Sequence, residues 1–167
     1  EQLNQSDQVS GIIVQLPLPE GFDADRIIGM IDPKKDADGF HSNNIAHFLA
    51  GDTDRIPVFP EALIELLLSS GEKLEGKKAV VVANSEHFSR VMVRACLDCH
   101  LETTTIQSSV LMTAPETVLN AEVIITACGI PNLITGQNIM PGAILIDGGI
   151  SKNSDGRTVG DIDAQSV

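Results

Sequence analysis

Apolar residues fall in short runs separated by polar and glycine-rich stretches, and the length and period of those runs predict the elements. Residues 11–16 (GIIVQL) form an apolar run bounded by glycine and proline, the pattern of a buried strand. Phe22, Ile27, Ile28 and Ile31 recur at near-helical spacing, with Asp23 and Asp25 near the start, where a helix dipole favours negative charge. A loop is expected over 32–40 and a further helical turn over 45–50. Residues 60–70 (PEALIELLLSS) predict the clearest helix: Pro60 suits its first turn and Gly71 terminates it. Leu63, Leu66 and Leu67 make the apolar face, with Ile64 and Leu68 alongside.

After a polar link at 72–77 the pattern changes. Apolar strands are expected at 79–82, 103–107, 123–127 and 143–147, with helices at 86–98 and 114–119 between them. Strands that lack period-two alternation and are separated by helices indicate a parallel sheet covered on both faces. The expected fold class is therefore α/β, with a Rossmann-like parallel sheet domain in the second part of the chain. The expected boundary separates 1–72, which includes the helix 60–70, from 73–167.

Composition narrows the classes. The chain has 167 residues, 43% of them hydrophobic and only 3% aromatic, so its core must be aliphatic. A net charge of −12 disfavours nucleic acid, and without a dense Lys/Arg run an anionic membrane surface is disfavoured too. No apolar run approaches the ~20 residues of a membrane span. Residues 1–10 are polar and do not read as a targeting peptide, so a soluble cytoplasmic protein is expected, with an organelle left open. Cys96, Cys99 and Cys128 are an odd count that argues against a disulfide framework. The run from Cys96 to His100 contains the spacing of a c-type haem attachment, but two packing thiols are the favoured reading. The four histidines show no convincing ligand spacing, and no metal is assigned.

Candidate chemistry lies at the ends of the strands. Ala83-Asn84-Ser85 follows a strand and opens a helix, where a Rossmann unit holds a pyrophosphate. That position calls for glycine, yet the loop has none and Glu86 adds a negative charge. On the residues alone an ordinary strand–helix turn is favoured there. Gly129-Ile130-Pro131 lies at the carboxyl end of the strand expected at 123–127 and reads equally well as a ligand-facing turn or a tight connection. Gly148-Gly149-Ile150 closes a third strand and leans toward function, because three such turns would share one sheet edge. In the first half, Gln15 stands on a run that Pro17 and Pro19 end, and Asp36 and Asp38 sit on a glycine turn. Single residues of this kind are usually turn formers, but the combination is less easily dismissed.

QLPLP at Gln15–Pro19 and KDADGFH at Lys35–His41 carry a further reading. With ALIELL from Ala62, LEGKKAVVV from Leu74, ACGIPNLI from Ala127, PGAILIDGGI from Pro141 and VGDID from Val159, the chain closely resembles the bifunctional methylenetetrahydrofolate dehydrogenase/cyclohydrolase family. The resemblance covers nearly the whole chain and the middle of the family's length. It implies that 1–72, with linker helix 60–70, is a partial catalytic domain, part of an α/β substrate domain, and that 73–167 is a Rossmann-like NAD(P)-binding domain. It also implies NADP-dependent oxidation of 5,10-methylenetetrahydrofolate to the methenyl form, then hydrolysis to 10-formyltetrahydrofolate. NAD is kept as a possible cofactor, the implied ligand is a tetrahydrofolate derivative, and a homodimer through the cofactor domain is expected.

Carried over by motif, Gln15 would position a catalytic lysine and Asp38 would hold the pterin ring. Ser85 and Ser108 would touch the cofactor phosphates, with Ala83, Asn84, Gly129, Pro131 and Gly149 around them, and Ile150 would line the nicotinamide pocket. The departures fall on the cofactor side. Ala83, Ser89 and Val91 stand where the family has Gly, Gly and Pro, and Gln107-Ser108-Ser109 replaces a His-Ser-basic run. Pro57-Val58-Phe59-Pro60 replaces Pro-Cys-Thr-Pro, removing a threonine able to cap the helix at a cost of ~1 kcal/mol. The family's lysine and tyrosine belong upstream of Glu1, and a Gly-rich closing segment belongs beyond Val167. Weak or absent catalysis is therefore expected of these residues alone. The alternative is an inactive homologue acting as a binding or assembly module.

Overall fold

The computed structural model describes every residue except Pro17, Met112 and Ala114. The chain forms two compact units, Glu1–Glu61 and Ala62–Val167.

The first unit is built from short helices and turns. Helical turn α1 (Gln2–Gln5) is followed by α2 (Ala24–Ile28), whose N-cap Asp23 accepts a hydrogen bond from the Arg26 N–H. Helix α3 (Ser42–Leu49) buries Asn44, Ile45 and Phe48. Helix α4 (Val58–Ser69) begins at the end of this unit, two residues earlier than the sequence pattern predicts. Pro60 is thus its third residue, where the missing N–H has no helical partner to lose. At the helix's first position the Val58 N–H donates to the Asp38 carbonyl at 3.1 Å.

The strand expected at 11–16 does not form. Its pairing is limited to one bridge, in which the Ile12 N–H donates to the Lys35 carbonyl at 2.6 Å and the Ala37 N–H donates to Ile12 at 3.2 Å. Ile13 is 63% exposed and Leu16 46%, so the run is not buried either. Apolar residues favour a strand, but a ladder needs a neighbour along its length, and here the neighbour turns away after one pair.

The second unit contains a four-stranded parallel sheet in the order β2-β1-β3-β4. Its strands are β1 (Lys78–Ala83), β2 (Glu102–Ile106), β3 (Val123–Ala127) and β4 (Ile144–Asp147). Strands β1 and β3 are central and almost wholly buried, which their unbroken apolar runs require. Strand β2 reads ETTTI and is largely exposed, as an edge strand is. Helix α5 (Glu86–Asp98) packs on β1 and β2 through a face that includes Phe88, Val91, Met92 and Ala95. A separate cluster joins Val80, Val82 and Ile124 to Val118 of helix α6 (Pro115–Leu119) and to Ile134. A hairpin of β5 (Ser151–Lys152) and β6 (Thr158–Val159) follows the sheet. No helix of the described residues is long and apolar enough to cross a membrane.

Candidate functional site

The strand order fixes where a ligand would meet the second unit. From β1 the chain crosses through α5 to β2 on one side, then returns past β1 to β3 on the other. The topological switch therefore lies between β1 and β3, and its crevice opens at their carboxyl ends. Ala83-Asn84-Ser85 and Cys128-Gly129-Ile130 stand there side by side, because Ala83 and Ala127 are register partners. Gly148-Gly149-Ile150 follows β4 on the same edge, with the Gly148 N–H donating to Thr126 of β3 at 2.8 Å.

The polar residues expected in these turns hold one another. The Ser85 hydroxyl caps α5 by accepting from the Phe88 N–H at 3.3 Å. The Asn84 side-chain oxygen accepts from the Ser108 N–H at 3.1 Å and its hydroxyl at 2.9 Å, tying the ends of β1 and β2 together. Gly129 has φ +67, a backbone shape that side chains resist, and its carbonyl accepts from the Ser151 hydroxyl at 2.6 Å. Ile130 and Ile150 are exposed at the rim. A groove of about 480 Å³ lies at the opposite end of the sheet, lined by Lys78, Glu102, Glu116 and Asn120, away from these turns.

The sequence pattern gave no role to Asp161, which is fully buried. Its carboxylate accepts from the Cys128 N–H at 2.6 Å and the Ile130 N–H at 2.7 Å. The VGDID motif was the available signal, but a contact made 33 positions away leaves no periodic trace.

Of the residues singled out in the first unit, Asp36 and Asp38 border one cleft and Gln15 does not. Asp36 is a turn former: its carboxylate accepts from the Gly39 and His41 N–H groups and from the Asn44 side chain at 2.8–3.1 Å. Asp38 is half-buried beside a small cleft that it lines with Val14, Leu16, Ile28, Ile31, Asp36 and Phe40. Burial, and then the nearby Asp36 charge, hold its carboxyl above the usual carboxylate range. Gln15 is exposed, does not line that cleft, and donates its side-chain amide to the Leu16 carbonyl at 3.1 Å. Lys35 spends its ammonium on the carbonyls of Leu3, Asn4 and Ser6 at 2.7–3.2 Å. A groove of about 560 Å³ runs past Asp36, Asn44 and Arg55.

The thiols behave as packing groups. Cys96 is fully buried, and burial pushes it up to about 12; burial likewise pushes Cys128 to about 11. No group of three His, Cys, Asp or Glu suited to a metal occurs among the described residues.

A parallel sheet with a topological switch, a capped helix N-terminus and glycine turns at that switch defines a Rossmann-like nucleotide-binding domain. Residues 57–167 match the NAD(P)-binding domain of tetrahydrofolate dehydrogenase/cyclohydrolase, and residues 1–38 match the catalytic domain of the same enzymes. The chain belongs to that family. It is 40% identical over 166 residues to the bifunctional protein FolD of Magnetococcus marinus, covering 99% of this chain and 58% of the relative. Among solved structures, the FolD methylenetetrahydrofolate dehydrogenase/cyclohydrolase of Campylobacter jejuni superposes with a TM-score of 0.87 at 33% identity, covering 99% of this chain and 59% of that one. The Trypanosoma brucei dehydrogenase-cyclohydrolase, solved with NADP and an inhibitor, also gives 0.87, at 28% identity and the same coverage.

Proposed function

We propose that the second unit binds NADP at the β1/β3 switch, and that the protein acts in one-carbon folate chemistry. The reactions are oxidation of methylenetetrahydrofolate and hydrolysis of the methenyl product. The observation that carries this reading is the convergence of three turns on one sheet edge, in a chain of this family. The backbone N–H groups at the start of α5 suit a phosphate, and the Ser85 and Ser108 hydroxyls lie in the adjoining turns. When bound, the nicotinamide supplies the hydride acceptor. Gln15 and Asp38 are proposed to act on the folate side, where the half-buried Asp38 carboxyl would accept hydrogen bonds from a pterin ring. The functional division proposed is 1–72 for folate and 73–167 for the dinucleotide.

Affinity for the dinucleotide is proposed to be weak. Ala83 stands where close backbone approach favours glycine, and exposed Glu86 in the first turn of α5 repels a phosphate. Calorimetric titration with NADP, and NAD in parallel, tests the reading, and saturable binding of either supports it. The triple change Ala83→Gly, Glu86→Asn, Ser89→Gly should tighten binding. If the folded chain binds neither dinucleotide before or after that change, the second reading takes over: a binding or assembly module without turnover, which the glycine-free loop favours. The exposed edge strand β2 also supports a homodimer through this unit, which light scattering would test.

A further inference from the structure

The segment 159–163 offers no side chain to the dinucleotide in the reading above, yet it holds both turns on the β3/β4 side of the switch. Asp161 Oδ2 accepts from Cys128 N and Oδ1 from Ile130 N, so one carboxylate grips the turn that carries Gly129. The segment is held in turn by a second carboxylate. Asp147, at the end of β4, accepts from the Asp161 N–H and the Gly149 N–H through Oδ1, and from the Ile162 N–H through Oδ2, each at 2.9 Å. Two glycines make the space. A Cβ at Gly149 would meet the Asp161 carboxylate and lie 2.7 Å from its backbone nitrogen, and a Cβ at Gly160 would meet the Asp147 carboxylate.

Among the described residues no lysine or arginine pairs with Asp161. A fully buried carboxylate without a cation is an expensive way to stabilise a fold, since an apolar residue would avoid the desolvation cost. Among the described residues, the hydrogen-bond partners of its carboxylate are backbone amides of a turn on the ligand edge. The sheet order supplies the direction. With the pyrophosphate over the β1 turn, the adenosine half extends toward β2 and Ser108, and the nicotinamide half toward β3 and β4. There Ile130 and Ile150, 38% and 77% exposed, offer an apolar rim for a flat ring.

We infer that Asp161 is a positioning residue for the nicotinamide half of the dinucleotide, acting through the Cys128–Ile130 turn and locked by Asp147. This rests on the dinucleotide reading above. The test is calorimetry of the 167-residue chain and of Asp161→Asn with two probes, NADP and 2′,5′-ADP, which carries only the adenosine half. Losing charge-assisted bonds to the turn should weaken NADP about 10- to 100-fold. Affinity for 2′,5′-ADP should be retained. Gly149→Ala, which displaces the carboxylate without removing it, should reproduce the selective loss if Asp161→Asn does not fold. Unchanged NADP affinity, or an equal loss of both probes together with a lowered Tm, would overturn the inference. An unmodified chain that binds neither probe fails differently: it removes the dinucleotide reading itself.

Discussion

The two units solve the same folding problem with different materials. The second rests on aliphatic burial: Val81, Val82, Val91, Ile124 and Ile125 are 0% exposed. The first has few such residues and is tied together by polar side chains reaching across turns. Asn4 bridges the Met30 carbonyl and the Asp32 N–H, Lys35 gathers three carbonyls, and Asn44 connects Asp36, Pro33 and Arg55. Apolar burial is non-directional and tolerates repacking, whereas a hydrogen-bonded turn fails as a unit when one member goes. The units should therefore respond differently to equally small changes.

The largest effect is expected in the sheet. Ile124→Ala removes a fully buried side chain from a packed cluster and should cost about 2–5 kcal/mol in chemical denaturation. A loss below 1 kcal/mol would mean that the cluster is not what holds the unit. Asp36→Ala should come next. It strands two backbone N–H groups and removes one of the Asn44 amide's bonds, for a loss of about 2–3 kcal/mol confined to the first unit. Hydrogen exchange should quicken over 33–50 and stay slow in β1 and β3; quickening in both would erase the distinction between the units.

A third effect concerns the thiols. With Cys96 held at about 12 and Cys128 at about 11, alkylation near pH 8 should be fastest at Cys99, as peptide mass spectrometry would record. A thiol whose folded pKa is raised stabilises the fold below its ordinary value of 9.0, and that contribution fades as pH climbs from there toward about 12. The smallest effect is expected at Asp38. Its raised carboxyl means that the ionised form opposes folding at neutral pH and the protonated form does not. Asp38→Asn should raise Tm slightly at pH 7, with the gain vanishing below the carboxylate range. Equal Tm values across pH would contradict the assigned environment.

The sheet was legible because its signals are local. Unbroken apolar runs specify β1 and β3, and Ser85 before a 3.6-period face specifies α5. The run at 11–16 misled for the converse reason: strand formation depends on a neighbour, and a single bridge to Asp36 is all that forms. At the candidate site the ends of β1 and β3 put Asn84 and Gly129 on one edge, whereas Ser108 came from the family resemblance alone and meets Asn84 through a side-chain bond. What the pattern could not carry was the division of labour. Asp36 and Asp38 look alike in sequence and border the same small cleft, yet Asp36 is spent on three donors while Asp38 has its carboxyl raised by burial and by the Asp36 charge. Asp161 was illegible because its partners arrive through a chain reversal.

The paired glycines also bear on how this sequence can change. Gly149 leaves room for Asp161, and Gly160 leaves room for Asp147, so each loop's emptiness is shaped by the other loop's charge. A side chain introduced on one side meets a carboxylate on the other, and removing that carboxylate first releases a turn. Each single step carries a cost that a joint replacement avoids. Drift should therefore leave these four positions together or take them together, while the exposed tip of the hairpin between them, residues 154–157, is free to vary.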